Sequence, residues 1–219
     1  MAAIGRDLKG LDAVFVTHEH SDHIRGVGPV CRKYEVPLYC TEGTLRRMNG
    51  SLGRLPGFIA LSAGEPRVIG DLRIEPYATP HDAEEPVAFV VESGGLKLGH
   101  ATDLGRVTAE VVGKLQNADA LLVEANHDVD MLNAGPYPWS LKKRVQSDVG
   151  HLSNEACGEL LAAACHDGLK TVVLMHLSET NNHPDLAEIT ARQALGDCAA
   201  AMVLARQDEP TRLMDVSPL

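Results

Sequence analysis

The sequence predicts a mixed α/β fold in a single domain over residues 1–207, on three observations. Short apolar runs alternate with stretches of helical periodicity along the chain. The longest apolar runs, residues 171–175 and 199–203, have strand length and fall far short of a membrane span. Histidines and aspartates recur where a strand pattern gives way to a polar loop.

Taken in order, Ala13-Val14-Phe15-Val16 reads as a buried strand, followed by a helical pattern over residues 23–34. A strand is expected over residues 36–39, a helix over 41–49, and strands over 58–61, 72–77 and 87–91. Gly94-Gly95 is a hairpin turn into a strand at 96–98. Helices over 108–116, 139–147, 154–166 and 184–195 then alternate with strands over 120–123, 172–175 and 200–204. Ser153, with Asn154 and Glu155 after it, fits the start of the helix at 154–166. Residues 208–219 are polar, contain two prolines and are expected to form a flexible tail.

A length of 219 residues suits one substantial core, and 44% hydrophobic with 23% charged residues is the composition of a soluble globular chain. A formal net charge of −10 excludes a general basic coat for nucleic acid. It leaves room for a nuclease, because a few cationic side chains and bound cations suffice to hold a phosphate backbone. Lys142-Lys143-Arg144 is the one run of three basic residues, open to two readings: a solvated helix face or a substrate contact. Five cysteines without a CxxC pair favour reduced thiols and a cytoplasmic location, and Cys157 and Cys165 read as small core residues. No charged-then-apolar leader opens the sequence, and neither export nor a membrane is expected.

The chemistry concentrates in Thr17-His18-Glu19-His20-Ser21-Asp22-His23. Imidazole and carboxylate are ligands for first-row divalent ions. On an extended segment His18 and His20 point the same way and can grip one ion. Asp22 and His23 lie where the chain turns into a helix, and can face a second. Further strand patterns exit into His81-Asp82, Asp103 and His176, enough ligands for two ions that share Asp103. Asp82 and Glu84 are candidates to orient His81, while His100, His166 and His183 are read as non-ligands.

The order HxHxDH, lone His, lone Asp, final His resembles the metallo-β-lactamase superfamily. Gly150-His151-Leu152-Ser153 and Met175-His176-Leu177-Ser178 are similar to signatures of its ribonuclease Z-type nucleases. Thr17 to Val27, His81-Asp82, Ala101 to Gly105, Glu124-Ala125-Asn126-His127-Asp128, Pro138-Trp139-Ser140, Ser147 to Glu155 and Asn181-Asn182 resemble its YycJ/WalJ/VicX-like nuclease branch. The resemblance implies an αββα sandwich with its ligands on loops at one edge. It implies that His18, His20 and His81 hold one ion, that Asp22, His23 and His176 hold another, and that Asp103 and a hydroxide bridge them. The two divalent ions are zinc or manganese. Relatives normally carry strands, a Gly-Ser-Ser-Gly-Asn turn and an Asp-Ala-Gly segment before this point, so the sandwich is expected to lack its first N-terminal strands.

The resemblance assigns His151 to the scissile phosphate, beside Asp22 as a second catalytic candidate; a helix-capping or buried structural role is the alternative for His151. Asn126, His127, Ser153, Lys142, Lys143 and Arg144 are substrate-binding candidates, with Arg46 and Arg47 as further backbone contacts. His127 reads equally as local structure. The function expected is a dinuclear phosphodiesterase, a 5′→3′ DNA exonuclease acting on DNA rather than RNA and connected with DNA repair. A metal-dependent hydrolase of small esters, thioesters or cyclic phosphodiesters is the alternative, since fold does not choose between phosphorus and acyl carbon. A non-catalytic regulator is a third reading. Homo-oligomerisation stays open.

Overall fold

The computed structural model describes residues 4–48 and 50–216. The chain divides into two compact units, Met1–Ala78 with Asp82–Phe89, and Thr79–His81 with Val90–Leu219.

In the first unit, β1 (Val14–Phe15) leads through α1 (Ser21–Ile24) and α2 (Val27–Tyr34) to β2 (Leu38–Thr41), then α3 (Glu42–Met48) and β3 (Phe58–Leu61). These strands form a parallel sheet in the order β1-β2-β3, which is why each connection carries helix. Val27 and Cys31 of α2 pack with Val16, Leu38, Cys40, Met48 and Leu52 into one apolar cluster. The helix expected over residues 23–34 is two helices, interrupted at Arg25 and Gly26. The strand expected over 36–39 begins at Leu38, because Val36 donates its N–H back to Cys31 and Pro37 has none to give. A hairpin of β4 (Arg67–Ile69) and β5 (Leu72–Ala78) follows; β4 is too short for its alternation to show in the sequence.

β6 (Val87–Ser93) starts in the first unit and ends in the second. Gly94 and Gly95, at φ 56° and 82°, turn the chain into β7 (Leu96–Ala101), as two-residue hairpins require. The second unit continues with α4 (Ala109–Leu115), β8 (Ala120–Glu124), α5 (Val129–Ala134), α6 (Trp139–Val145), α7 (Asn154–Ala164), β9 (Thr171–Met175), α8 (Pro184–Leu195) and β10 (Ala201–Leu204). β7 to β10 are parallel in the order β10-β9-β8-β7, and the buried faces of β8 and β9 explain their near-continuous apolar sequences. Helix starts are capped as the sequence suggests: Ser153 Oγ accepts from Ala156 N at 3.2 Å, and Thr108 caps α4. α5 was not expected; its cap is Asp128, whose Oδ1 accepts from Met131 N at 2.8 Å.

Cys157 is buried as expected, but Cys165 is half-buried because it sits past the last turn of α7. Residues 205–216 hold neither helix nor strand, and the Val216 carbonyl accepts from Lys170 Nζ at 2.9 Å. Residues 217–219 of the expected tail lie outside the described residues. Among the described residues no helix is long and apolar enough to cross a membrane.

Candidate metal centre and its histidine flank

Within the first unit the His-rich loop leaves β1 and folds back on itself. Thr17 Oγ1 lies 3.0 Å from His18 Nδ1 and 3.3 Å from His23 Nδ1, so one hydroxyl orients two rings and presents Nε2 as the ligand nitrogen. The His18 ring centroid is 4.6 Å from that of His20 and 4.2 Å from that of His23. Asp22 Oδ2 lies 3.4 Å from His23 Nε2, and Asp82 Oδ1 lies 3.8 Å from His20 Nε2. Three imidazoles this close repel one another when protonated; neutral imidazoles beside carboxylates are a divalent-cation donor set. The loop carbonyl of Thr17 accepts from Val87 N at 3.0 Å, which anchors it to the start of β6.

In the second unit the functional side chains stand at the C-terminal ends of parallel strands, where α/β sheets gather ligands. Asp103 follows β7, Glu124 ends β8 and His176 follows β9. Asp103 and His176 hold φ at 56° and 57°, a left-handed conformation that costs non-glycine residues about 1–3 kcal/mol each and clusters at functional sites. Asp103 is almost fully buried; its Oδ2 accepts from Thr102 Oγ1 at 2.8 Å. Its Oδ1 lies 3.5 Å from His81 Nε2, 3.6 Å from His151 Nδ1 and 3.9 Å from His176 Nε2.

His81 donates from Nδ1 to the Gly150 carbonyl at 3.0 Å, since a carbonyl only accepts. Asp82 lies 3.8 Å from His20, and Glu84 pairs with the arginines of α3. In the neutral ring Nε2 is then a lone-pair atom opposite a carboxylate oxygen. Imidazole nitrogen and carboxylate oxygen side by side are a donor pair for a divalent cation. The residues fit a divalent ion.

Glu124 is the functional residue that the ligand spacing did not single out. It is fully buried; Oε1 accepts from His151 Nδ1 at 2.8 Å and Oε2 from Leu104 N at 3.0 Å, while His176 Nδ1 lies 3.8 Å from Oε1. Burial opposes its ionisation, yet the hydrogen bonds and positive field of His151 and His176 outweigh burial and hold it at about 2. For His151 burial again disfavours the charge, and the Glu124 carboxylate overrides it and raises the pKa. The signal available in the sequence was a lone acid closing an apolar strand, Ala120-Leu121-Leu122-Val123-Glu124.

His151 is held from both sides. Its backbone N–H donates to the Val145 carbonyl at 2.9 Å, and its side chain is a fifth exposed (20%), whereas the Glu124 side chain is fully buried. Gly150 touches the end of α6 so closely that a Cβ would stand 2.2 Å from the carbonyl oxygens of Arg144 and Val145. Asn126 N bonds the Leu152 carbonyl, and His127 pairs with Ser153 in a parallel bridge. Beneath them Asn154 and Asn182 exchange side-chain amide bonds of 2.9 Å, and Asn182 also reaches the Ala125 carbonyl.

The other candidates fall into three groups. Asn126, His127 and Ser153 make contacts within the fold: Asn126 Nδ2 donates to the His176 carbonyl at 3.1 Å, Ser153 caps α7, and His127 is buried, with burial pushing its pKa down. Lys143 and Arg144 are exposed on α6, whereas Lys142 Nζ donates to the Asn133 carbonyl at 2.7 Å. Arg46 and Arg47 are paired with Glu84, at 3.0 Å and 3.6 Å. Among the non-ligands, His166 Nε2 donates to the Ala118 carbonyl and His183 Nδ1 caps α8.

The family described as Beta-lactamase superfamily domain matches residues 1–177 of the chain. Over 192 residues the chain is 40% identical to exodeoxyribonuclease YycJ of Bacillus anthracis, covering 86% of this chain and 72% of that protein. It is equally similar, 40% over 194 residues, to exodeoxyribonuclease WalJ of Streptococcus pneumoniae serotype 2 (strain D39), covering 87% and 72%. The metallo-beta-lactamase fold protein YhfI from Bacillus subtilis superposes with a TM-score of 0.71 at 19% identity, covering 93% of this chain and 79% of that one, a likeness of fold.

Proposed function

This chain belongs to the metallo-β-lactamase superfamily, and on that premise we propose that it is a divalent-metal-dependent phosphodiesterase that degrades DNA from the 5′ end. The exodeoxyribonuclease relatives supply the class of bond and polymer. The observation that carries the reading is the His151–Glu124 pair, set 3.6 Å from Asp103 among ligand-type side chains. One atom from each of His81, Asp103 and His151 lies within 4.8 Å of the other two, and the same holds for Glu124, His151 and His176.

By the ligand order of the family, His18, His20 and His81 would hold one ion, Asp22, His23 and His176 a second, with Asp103 serving both. When bound, two divalent ions lower the pKa of water and neutralise charge gathering on a phosphate. Zinc and manganese both suit nitrogen and oxygen donors. The chain's own part in the proposal is proton management and grip. Asp22, with its carboxylate exposed, takes a proton from the attacking water. His151 is a general acid rather than a ligand: Glu124 occupies Nδ1 and favours the imidazolium, and a cationic ring repels a metal ion. Its Nε2–H then protonates the departing ester oxygen, which accelerates cleavage by about 10²–10⁴-fold. Lys143 and Arg144, with Lys142 beside them, meet the phosphate backbone. DNA rather than RNA, a cytoplasmic setting and a connection with DNA repair complete the proposal.

The test is digestion of a duplex labelled at its 5′-phosphorylated end, with manganese or zinc supplied. Stepwise loss of label from that end is expected, abolished by chelation and by Asp103→Ala. A metal-loaded protein that leaves the duplex intact and cleaves small esters would overturn the reading in favour of acyl hydrolysis.

A further inference from the structure

Trp139 is the only tryptophan in the sequence, and it stands in the first turn of α6 with 64% of its surface exposed. A lone exposed aromatic is ordinary by itself, but an indole whose π-face lies open beside exposed cations combines the two features that grip a nucleic-acid strand. Lys143, one helical turn on, places Nζ 5.4 Å from the ring centroid, a cation–π contact that engages one face of the indole. Arg144 follows it, exposed. On a chain of net charge −10 this is a local reversal of sign, complementary to an anionic polymer.

α6 is keyed to the chemistry. Its last residue, Val145, accepts the His151 N–H, and its final carbonyls press on Gly150, whose own carbonyl holds His81. Trp139 lies six residues before Val145, ~9 Å along the helix axis. Pro138 fixes the entry to the helix at φ −55° and ψ 148°, so the indole rides on a rigid start rather than a slack loop.

We propose that Trp139 and Lys143 form a nucleobase-stacking subsite for a single strand of the nucleic acid, with Trp139 taking a base and Lys143 and Arg144 the adjoining phosphates. A π-face accepts every base, so the subsite grips without reading sequence, as an exonuclease that must pass through any sequence requires. The inference rests on the exonuclease reading and adds to it the residue that holds the strand beside His151.

A single tryptophan makes the test direct. The metal-loaded protein is titrated against a 5′-phosphorylated, phosphorothioate-linked oligothymidylate that resists cleavage, and against a base-free strand of the same length, while indole fluorescence reports stacking and the fluorescence anisotropy of a dye on the strand reports binding in every variant. Quenching that saturates with the thymidylate and is absent with the base-free strand is expected. Trp139→Ala should weaken binding by about 5- to 150-fold, Trp139→Phe should restore most of it, and Lys143→Ala should reduce the salt slope by about one. Saturable binding without quenching, or unchanged affinity in Trp139→Ala, overturns the subsite while digestion of an ordinary strand leaves the exonuclease reading standing. A wild type that neither binds nor digests overturns both.

Discussion

Gly150→Ala is expected to abolish most of the nuclease activity and to lower the melting temperature by about 5–10 °C. The added Cβ would stand 2.2 Å from two carbonyl oxygens at the end of α6, backbone atoms that no side-chain rotation clears. The segment therefore has to move, and three contacts move with it: the His151 N–H on Val145, the Gly150 carbonyl on His81, and the His151 ring on Glu124. A displacement near 1 Å at a reacting group costs on the order of 10²-fold in rate. Thermal unfolding and single-turnover cleavage on one preparation check this. An alanine variant with wild-type values for both would show that Gly150 does not set the position of His151.

Glu124→Gln is expected to cost about 10–100-fold in activity near neutral pH with little change in the fold. The amide retains an oxygen for Leu104 N, which keeps the shape, but it removes the negative charge that favours the His151 imidazolium. The sign follows from His151: an acid catalyst is lost as pH rises through its pKa, and lowering that pKa moves the falling limb of the profile to lower pH. The variant should therefore approach wild type on the acid side and fall away from it as pH rises. A uniform loss at every pH would mean that Glu124 acts only as scaffold. Stability has its own window. Glu124 is held at about 2 against an ordinary 4.5, so its contribution is complete above 4.5 and is lost as pH falls towards 2.

The fold class and the loops that carry His and Asp were legible in the sequence because parallel strands buried on both faces carry apolar runs that end abruptly in those residues. Boundaries failed where local chemistry overrode periodicity. Pro37 pushed β2 forward, Gly26 split one helix into two, and α5 was concealed by a six-residue length that only its Asp128 cap betrays. Glu124 was visible as part of a motif but not as a partner of His151, because 27 residues of sequence separate them. Nothing linear could show that Gly150 is pressed between α6 and His81. The same limit hid the bonds that Asn126 and Ser153 make to a neighbouring loop and helix turn.

In the proposed reaction His151 moves a proton and does not hold a metal, although its Nδ1 lies 3.6 Å from Asp103. Metal content and single-turnover cleavage of 5′-phosphorylated DNA, measured together on His151→Ala, test it most directly. Wild-type metal content with cleavage reduced about 10²–10⁴-fold is expected. Loss of a metal ion from that variant, or cleavage at the wild-type rate, would contradict it.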